Sequence, residues 1–255
     1  MRWPILTIAW FTVLEAMRSR LLWLIFAVLF AAFGLTQFIG NVAITEALEI
    51  KSGLLGAFLR LFAVFMISLF VATSMARELS DKGLELVLSL PIPRAAYYFG
   101  KLLGFSIVAW VTAVLIALLL LLYVPALQLV FWTASLTCEL FIVASLSLLC
   151  LLSFHQVTLA LSAVAGFYLL SRAIGSIQLI GQSPLIGSDL PQQLISTVID
   201  AIAFLLPELH RFTCSRWLIY HTAGWPDLVP ILGQTAIYLT LLAGAGLFDF
   251  YRKNL

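Results

Sequence analysis

The composition of this 255-residue chain excludes a water-soluble protein. It is 63% hydrophobic and only 10% charged, whereas soluble domains contain about 25% charged residues. The formal net charge of +2 is too small, and the charges too dispersed, for a nucleic-acid binder. A soluble globular enzyme is excluded as well, and a membrane protein is left.

The N-terminal segment, Trp3 to Arg20, has the pattern of an amphipathic helix. Its polar residues fall on one side of a helical wheel, and they are Thr7, Thr12, Glu15, Arg18 and Ser19. Apolar side chains occupy the rest of the wheel. This pattern predicts an N-terminal helix that lies in the membrane interface.

Six longer segments meet the requirement for a membrane-spanning helix, which needs about 20 mostly apolar residues. They are Leu21 to Ile39, Phe58 to Ala76, Leu102 to Val124, Leu127 to Phe154, Val157 to Ile177, and Leu228 to Phe248. The sequence therefore predicts an all-α membrane protein with six transmembrane helices.

The distribution of lysine and arginine predicts how the spans are oriented, because cytoplasmic loops carry the excess of both residues. One side has nine: Arg2, Arg18, Arg20, Arg77, Lys82, Arg94, Lys101, Arg252 and Lys253. The other side has five: Lys51, Arg60, Arg172, Arg211 and Arg216. Both termini are expected to be cytoplasmic.

Between spans five and six, an outer segment contains a further helical pattern. Apolar residues recur at helical spacing between Pro191 and Pro207, which are typical of a helix start and stop. With about 16 residues and Asp200 inside it, this stretch is too short and too polar for a span. It predicts an outer interfacial or re-entrant helix.

The loop between spans two and three is the most charged part of the chain. Gly83 permits a sharp reversal of the backbone, and Leu84 to Leu90 forms one or two helical turns with Glu85 on the polar side. Pro91 and Pro93 end that helix. The loop thus predicts a short amphipathic helix at the cytoplasmic membrane surface, where another protein could contact it.

The same loop carries a recognisable pattern of residues: Glu78, Gly83, Glu85, Leu88, Pro91, Arg94, Gly100 and Lys101. This pattern resembles the signature of ABC-2 type transporter permeases, and the order of predicted helices resembles that family over the whole chain. It looks closest to the branch linked to multicopper enzyme maturation, such as the nitrous oxide reductase accessory permease. Leu84 departs from the family pattern, which commonly has threonine there.

The resemblance implies a single ABC-2 type transmembrane domain over residues 1–255 in a bacterial inner membrane. Such a permease forms a dimer with a second copy or a homologous permease, and it pairs with two copies of an ATP-binding subunit. The loop would be the coupling helix that fits the ATPase. The implied coupling residues are Glu78, Asp81, Lys82, Gly83, Glu85, Leu88, Pro91 and Arg94.

ATP itself is expected to bind to the partner chain. A phosphate-binding loop needs a glycine five residues before its Gly-Lys pair and a serine or threonine after it. Here Ala95 and Leu102 occupy those positions around Gly100-Lys101. We therefore expect no cofactor on this chain, with ATP and Mg on the partner, and a transport subunit rather than an enzyme.

Glu139 is the most conspicuous ionisable residue within a predicted span. Such a group is costly in the bilayer and is by default a functional candidate. It could line a translocation path or pair with a basic group of a neighbouring helix; alternatively, it could be hydrogen-bonded inside the bundle, or lie nearer the outer interface.

Other classes of function are less well supported. An intramembrane enzyme would have to combine Glu139, His155 and His210, which are predicted at different membrane depths. His210, Cys214 and His221 have spacings that only weakly resemble a metal site, so no metal site is expected. A non-transporting assembly or mechanotransmission subunit, acting on an envelope partner, is the alternative, because it would also need the coupling helix.

Overall fold

A computed structural model of the protein describes residues 4–42, 47–80, 93–181 and 190–252. Within these ranges the chain is built of helices: α1 (Pro4–Arg18), α2 (Leu21–Val42), α3 (Ala47–Ser80), α4 (Arg94–Leu120), α5 (Ala126–Phe154), α6 (Val157–Gly181), α7 (Leu190–Leu205), α8 (Ser215–Tyr220) and α9 (Trp225–Arg252), with a 3₁₀ helix at Leu209–Arg211. The predicted coupling helix, together with Asp81, Lys82, Gly83, Glu85, Leu88 and Pro91, lies outside the described residues.

Five helices are long and apolar enough to cross a membrane: α3, α4, α5, α6 and α9. Helices α1 and α2 meet at a bend of 54° and together make a sixth candidate span. These helices confirm the prediction of an all-α membrane protein with about six spans. We call the end where α3 stops and α4 starts the loop end, and the opposite end the far end.

Local sequence signals set several helix boundaries. Pro93 and Pro125 directly precede α4 and α5, because proline fits the start of a helix, where no hydrogen-bond donor is needed. His155 ends α5 in the left-handed conformation, with φ at 59°. This residue turns the chain so sharply that α6 begins two residues later, at Val157.

Helix α5 forms the centre of the bundle. It packs against α3, α4, α6, α8 and α9, and Trp132, Leu136 and Leu140 are almost completely buried. Because lipid tails are as apolar as these side chains, close packing rather than removal from water holds the helices together. The central helix therefore fixes the position of any polar group that it carries.

Helix α1 packs closely along the first half of α4, and Ala9, Thr12 and Ala16 form its buried face. A Cβ atom on Gly104 would lie only 2.6 Å from the Thr12 Cβ atom, so this crossing requires glycine. Thr12 is fully buried, whereas Trp10 and Phe11 are 62% and 65% exposed. The N-terminal helix is thus present, with Thr12 packed against α4, and its placement in the membrane interface stays a prediction.

Replacing Gly104 with leucine is expected to separate α1 from α4. The added side chain overlaps Thr12, and overpacking of this kind costs about 1–3 kcal/mol. The melting temperature of the purified protein should fall by several degrees. Gly166→Leu is the matched control, because no atom lies within 4 Å of a Cβ at that position; equal melting temperatures for both variants would contradict the tight crossing.

Helix α3 is longer than the span predicted at Phe58 to Ala76. It has 34 residues and includes both Arg60 and Lys51, of which Lys51 precedes the predicted span. Arg60 is only 7% exposed, because its guanidinium donates a hydrogen bond to a backbone carbonyl inside the bundle. Arg60, which was counted among the outer basic residues, is thus a buried residue of the span.

The outer helix predicted between Pro191 and Pro207 is present as α7. Asp200 is exposed, and its carboxylate accepts a hydrogen bond of 3.2 Å from Gln178 of α6. After α7, the chain continues through the 3₁₀ helix and α8 at the far end before it enters α9. An interfacial or re-entrant placement of α7 stays a prediction.

Candidate functional site: two charged clusters

The first cluster lies at the loop end, where α3 stops and α4 starts. The Lys101 ammonium and the Tyr97 hydroxyl of α4 both donate hydrogen bonds to the Glu78 carboxylate of α3. Tyr97 and Lys101 are four residues apart, so they lie on the same face of α4. The two stems of the undescribed segment 81–92 are therefore joined directly by charged and polar contacts.

Helix α1 joins the same cluster through Glu15. One carboxylate oxygen accepts a hydrogen bond of 2.7 Å from Arg77, and the other accepts one of 2.9 Å from Ser74. The Lys101 ammonium lies 3.8 Å from this second oxygen. Lys101 thus bridges two carboxylates that belong to different helices.

The two cations of this cluster differ in their surroundings. The side chain of Lys101 is 6% exposed, whereas that of Arg77 is 61% exposed. An ion pair in contact with water contributes about 0–1 kcal/mol, but a buried charge without its partner is strongly unfavourable. Lys101 is therefore the cation on which the junction of α1, α3 and α4 depends.

The structure thus describes only part of the predicted coupling set. Glu78 faces α4 within the cluster, and Arg94 is the first residue of α4. Sequence reasoning missed Glu15 and Tyr97 as partners of this site. The signals that could have found them are the four-residue spacing of Tyr97 and Lys101 and the acidic residue within the polar side of α1.

The second cluster surrounds Glu139, which is fully buried in α5. The Tyr168 hydroxyl donates to one carboxylate oxygen at 2.8 Å, and the Thr213 hydroxyl donates to the other at 2.7 Å. The Arg172 guanidinium lies 3.4 Å from Glu139 and completes the set. Among the alternatives for Glu139, the structure shows an ion pair with a neighbouring helix; its role in a translocation path stays a prediction.

The same cluster holds the backbone of the segment 209–213. Arg172 donates to the carbonyl of Leu209 at 2.9 Å, and Arg60 donates to that of Thr213 at 3.2 Å. The Thr213 amide donates to the Ser135 hydroxyl at 2.9 Å. Thr213 has a φ of 44°, which is uncommon for a residue other than glycine. These contacts fix the chain between α7 and α8 against α3, α5 and α6.

Arg172 points into the bundle because Glu139 supplies a counter-charge there. Arginines near the end of a span commonly extend toward the lipid headgroups instead. Two guanidinium groups, from Arg60 and Arg172, accompany this one carboxylate. The Arg60 Nε atom is buried and has no hydrogen-bond partner within the parts that the structure describes, so the cluster carries surplus positive charge.

His210 belongs to this segment. Its ring packs against Gly175 of α6, and burial lowers the pKa of His210 below its ordinary value. Within the described ranges, no three histidine, cysteine, aspartate or glutamate side chains are grouped in a way that could hold a metal ion. Because its pKa is lowered, His210 is neutral at pH 7.

Comparison with known families bears on both clusters. Residues 6–167 match the family described as ABC-2 family transporter protein, which is more than half of the chain. The match includes the loop-end cluster and Glu139 but not Arg172 or Thr213. No curated protein matches the chain. The described helices and the length of this match show that the chain belongs to the ABC-2 transporter family, as a multi-pass permease subunit.

Proposed function

We propose that this permease couples ATP hydrolysis on a separate nucleotide-binding subunit to export of a substrate or its extraction from the membrane. The observation that carries the proposal is the loop-end cluster, in which Glu78 is bonded to Tyr97 and Lys101. These residues flank the segment 81–92, the sequence-predicted coupling helix. A force on that segment would therefore reach α3 and α4 together.

The cluster would also transmit this force to α1. Glu15 binds Ser74 and Arg77 of α3, and it lies near Lys101 of α4. Since Lys101 is buried, its interactions with both carboxylates are less screened than those of a surface ion pair. Movement of the predicted coupling helix would thus be shared by three helices, as in a rigid-body switch.

The local structure of Gly100 and Lys101 supports placement of ATP on the partner. Both residues lie inside α4, where a Cβ atom on Gly100 would be 2.9 Å from the Ile8 Cβ atom of α1. A phosphate-binding lysine instead follows a glycine-rich loop whose backbone amides surround the phosphates. The Lys101 ammonium is bound to Glu78, so this chain would act on ATP only through its partner.

The proposed topology places the loop end in the cytoplasm of a bacterial inner membrane. Helix α9 ends at Arg252, near the same end as Arg77, Arg94 and Lys101. This concentration of basic residues supports a cytoplasmic position. A second permease copy, or a homologous permease, and two ATP-binding subunits would complete the transporter.

The direct test is purification of the tagged permease from its host in mild detergent, followed by mass spectrometry and an ATPase assay. We expect a stoichiometric ATP-binding subunit, with ATP hydrolysis that depends on the permease. Glu85→Ala should reduce permease-dependent hydrolysis at least tenfold. Glu208→Ala, the same change at the far end, should leave hydrolysis unaltered.

The outcomes separate the proposed roles. A permease isolated without an ATP-binding subunit, under conditions that preserve other membrane complexes, would contradict the proposal. An intact complex in which Glu85→Ala and Glu208→Ala hydrolyse ATP equally would exclude segment 81–92 as the coupling element. An active complex that transports nothing, but is needed for maturation of an envelope protein, would favour an assembly subunit.

A further inference from the structure

A cleft of about 530 Å³ lies at the loop end, between α1 and α3. We call it the α1–α3 cleft, and its lining residues are Phe11, Leu14, Glu15, Arg18, Ser19 and Arg77. Two of these side chains are cations, one is an anion and two are apolar. The cleft therefore offers both charged and apolar contacts to a single ligand.

The register of α1 orders these groups along the cleft. Phe11, Glu15 and Arg18 lie on one face of the helix, because they are four and three residues apart. Arg18 is the last residue of α1, and the seven residues from Phe11 to Arg18 correspond to about 10 Å along the axis. The Arg77 guanidinium lies 2.7 Å from the Glu15 carboxylate, so it meets this face within one turn of Arg18.

The cleft has more positive than negative charge available to a ligand. The Glu15 carboxylate accepts hydrogen bonds from Ser74 and Arg77 and lies 3.8 Å from the Lys101 ammonium, so its charge is already compensated. Arg18 is exposed and forms no ion pair with a carboxylate within the ranges that the structure describes. The side chain of Arg77 is 61% exposed. An anion could therefore reach both guanidinium groups.

The outward side of α1 indicates which kind of neighbour the cleft has. Four large apolar side chains of this helix are more than half exposed: Leu6, Trp10, Phe11 and Met17. Such a surface is unfavourable in water, and α1 forms a candidate span together with α2. These observations favour lipid, rather than a soluble subunit, as the neighbour of the cleft.

We propose that the α1–α3 cleft binds one phospholipid with an anionic headgroup of the phosphatidylglycerol type. Arg18 and Arg77 bind the phosphate, because guanidinium groups form paired hydrogen bonds with phosphate oxygens. An acyl chain lies against Phe11 and Leu14. A zwitterionic lipid binds less well, since its ammonium group is repelled by the two arginines.

Native mass spectrometry of the delipidated permease tests this proposal without the ATPase, so its result does not depend on the coupling function. The probes are phosphatidylglycerol and phosphatidylethanolamine at equal concentration. We expect one bound phosphatidylglycerol per chain, with binding stronger than that of phosphatidylethanolamine by about fivefold or more. Equal binding of the two lipids, or stronger binding of phosphatidylethanolamine, would overturn the headgroup assignment.

A first pair of variants tests the charged part of the cleft. Arg18→Gln should weaken binding of phosphatidylglycerol by about fivefold, the usual effect of one basic residue on an anionic lipid, and Arg18→Lys should weaken it less. Arg252→Gln is the matched control, because Arg252 is an exposed arginine of α9 near the same end. Equal binding by Arg18→Gln and Arg252→Gln would show that the cleft does not hold the headgroup.

A second pair tests the apolar part. Phe11→Ala should weaken binding of both lipids by roughly threefold, because it removes apolar contact with the acyl chain. Trp10→Ala is the matched control: Trp10 is 62% exposed, Phe11 is 65% exposed, and only Phe11 belongs to the cleft lining. Equal losses in the two variants would identify the lipid as a non-specific neighbour of α1.

The competing occupant of the cleft is the ATP-binding subunit. A permease that binds no phosphatidylglycerol, and that loses the ATP-binding subunit on Arg18→Gln, would overturn the lipid site and assign the cleft to that subunit. A permease that binds phosphatidylglycerol as expected, but is isolated without an ATP-binding subunit, would support the lipid site while contradicting the proposed coupling.

Discussion

Replacing Glu139 with glutamine is expected to lower the free energy of unfolding by about 3–5 kcal/mol, the usual effect of removing one partner of a buried ion pair. Glutamine can still bind the Tyr168 and Thr213 hydroxyls, but the Arg172 guanidinium loses its counter-charge. The melting temperature of the purified permease should fall by roughly 10 °C.

The matched control is Glu208→Gln, which removes the carboxylate of an ion pair at the same end of the molecule. Glu208 and Arg211 have side chains that are 37% and 60% exposed, so this change should cost only about 0–1 kcal/mol. A Glu139→Gln variant as stable as Glu208→Gln would show that Glu139 does not hold the far-end segment. Glu139→Leu combined with Arg172→Leu should lose less stability than the sum of the single changes.

Replacing Lys101 with methionine is expected to reduce permease-dependent ATP hydrolysis at least tenfold while the complex still assembles. Methionine is similar in length to lysine and can occupy the same buried position, but it removes the charge that links Glu15 with Glu78. Two neighbouring carboxylates then repel each other across the junction. The measurement is ATPase activity of the reconstituted complex, with co-purification as the check on assembly.

Two comparisons separate loss of coupling from general damage. Arg77→Met removes the exposed cation of the same cluster and should retain at least half of the activity, because its ion pair is screened by water. Lys101→Arg should also retain activity, since it preserves the charge. If Arg77→Met and Lys101→Met lost activity equally, the buried lysine would have no special part in coupling.

Most of the fold could be predicted because spanning helices have a strong compositional signal. The fourth span, predicted at Leu127 to Phe154, agrees closely with α5 (Ala126–Phe154). The second span was predicted too short, since Glu49 and Lys51 interrupt the apolar pattern before Phe58 although both residues fit well in a helix. Hydropathy identifies the lipid-facing part of a helix, and α3 continues beyond that part.

The candidate sites were harder to predict from the sequence than the fold was. Glu139 could be identified because an ionisable group within a span is exceptional. Its partners could not, since Thr213 and Glu139 are 74 positions apart in the chain, and a single sequence contains no signal for such a pairing. For Arg172, the general tendency of arginine to reach the membrane surface was outweighed by a specific counter-charge.

The anchoring of Arg60 to the Thr213 carbonyl gives α3 the properties of a lever with an internal fulcrum. Glu78 lies eighteen residues beyond Arg60, which makes this arm about 27 Å long, and a 10° tilt would displace its end by about 5 Å. The arm toward Ala47 is about 20 Å long and would swing the opposite way by about 3 Å. A small rotation imposed at the loop end would thus move the far end of α3 in the reverse direction.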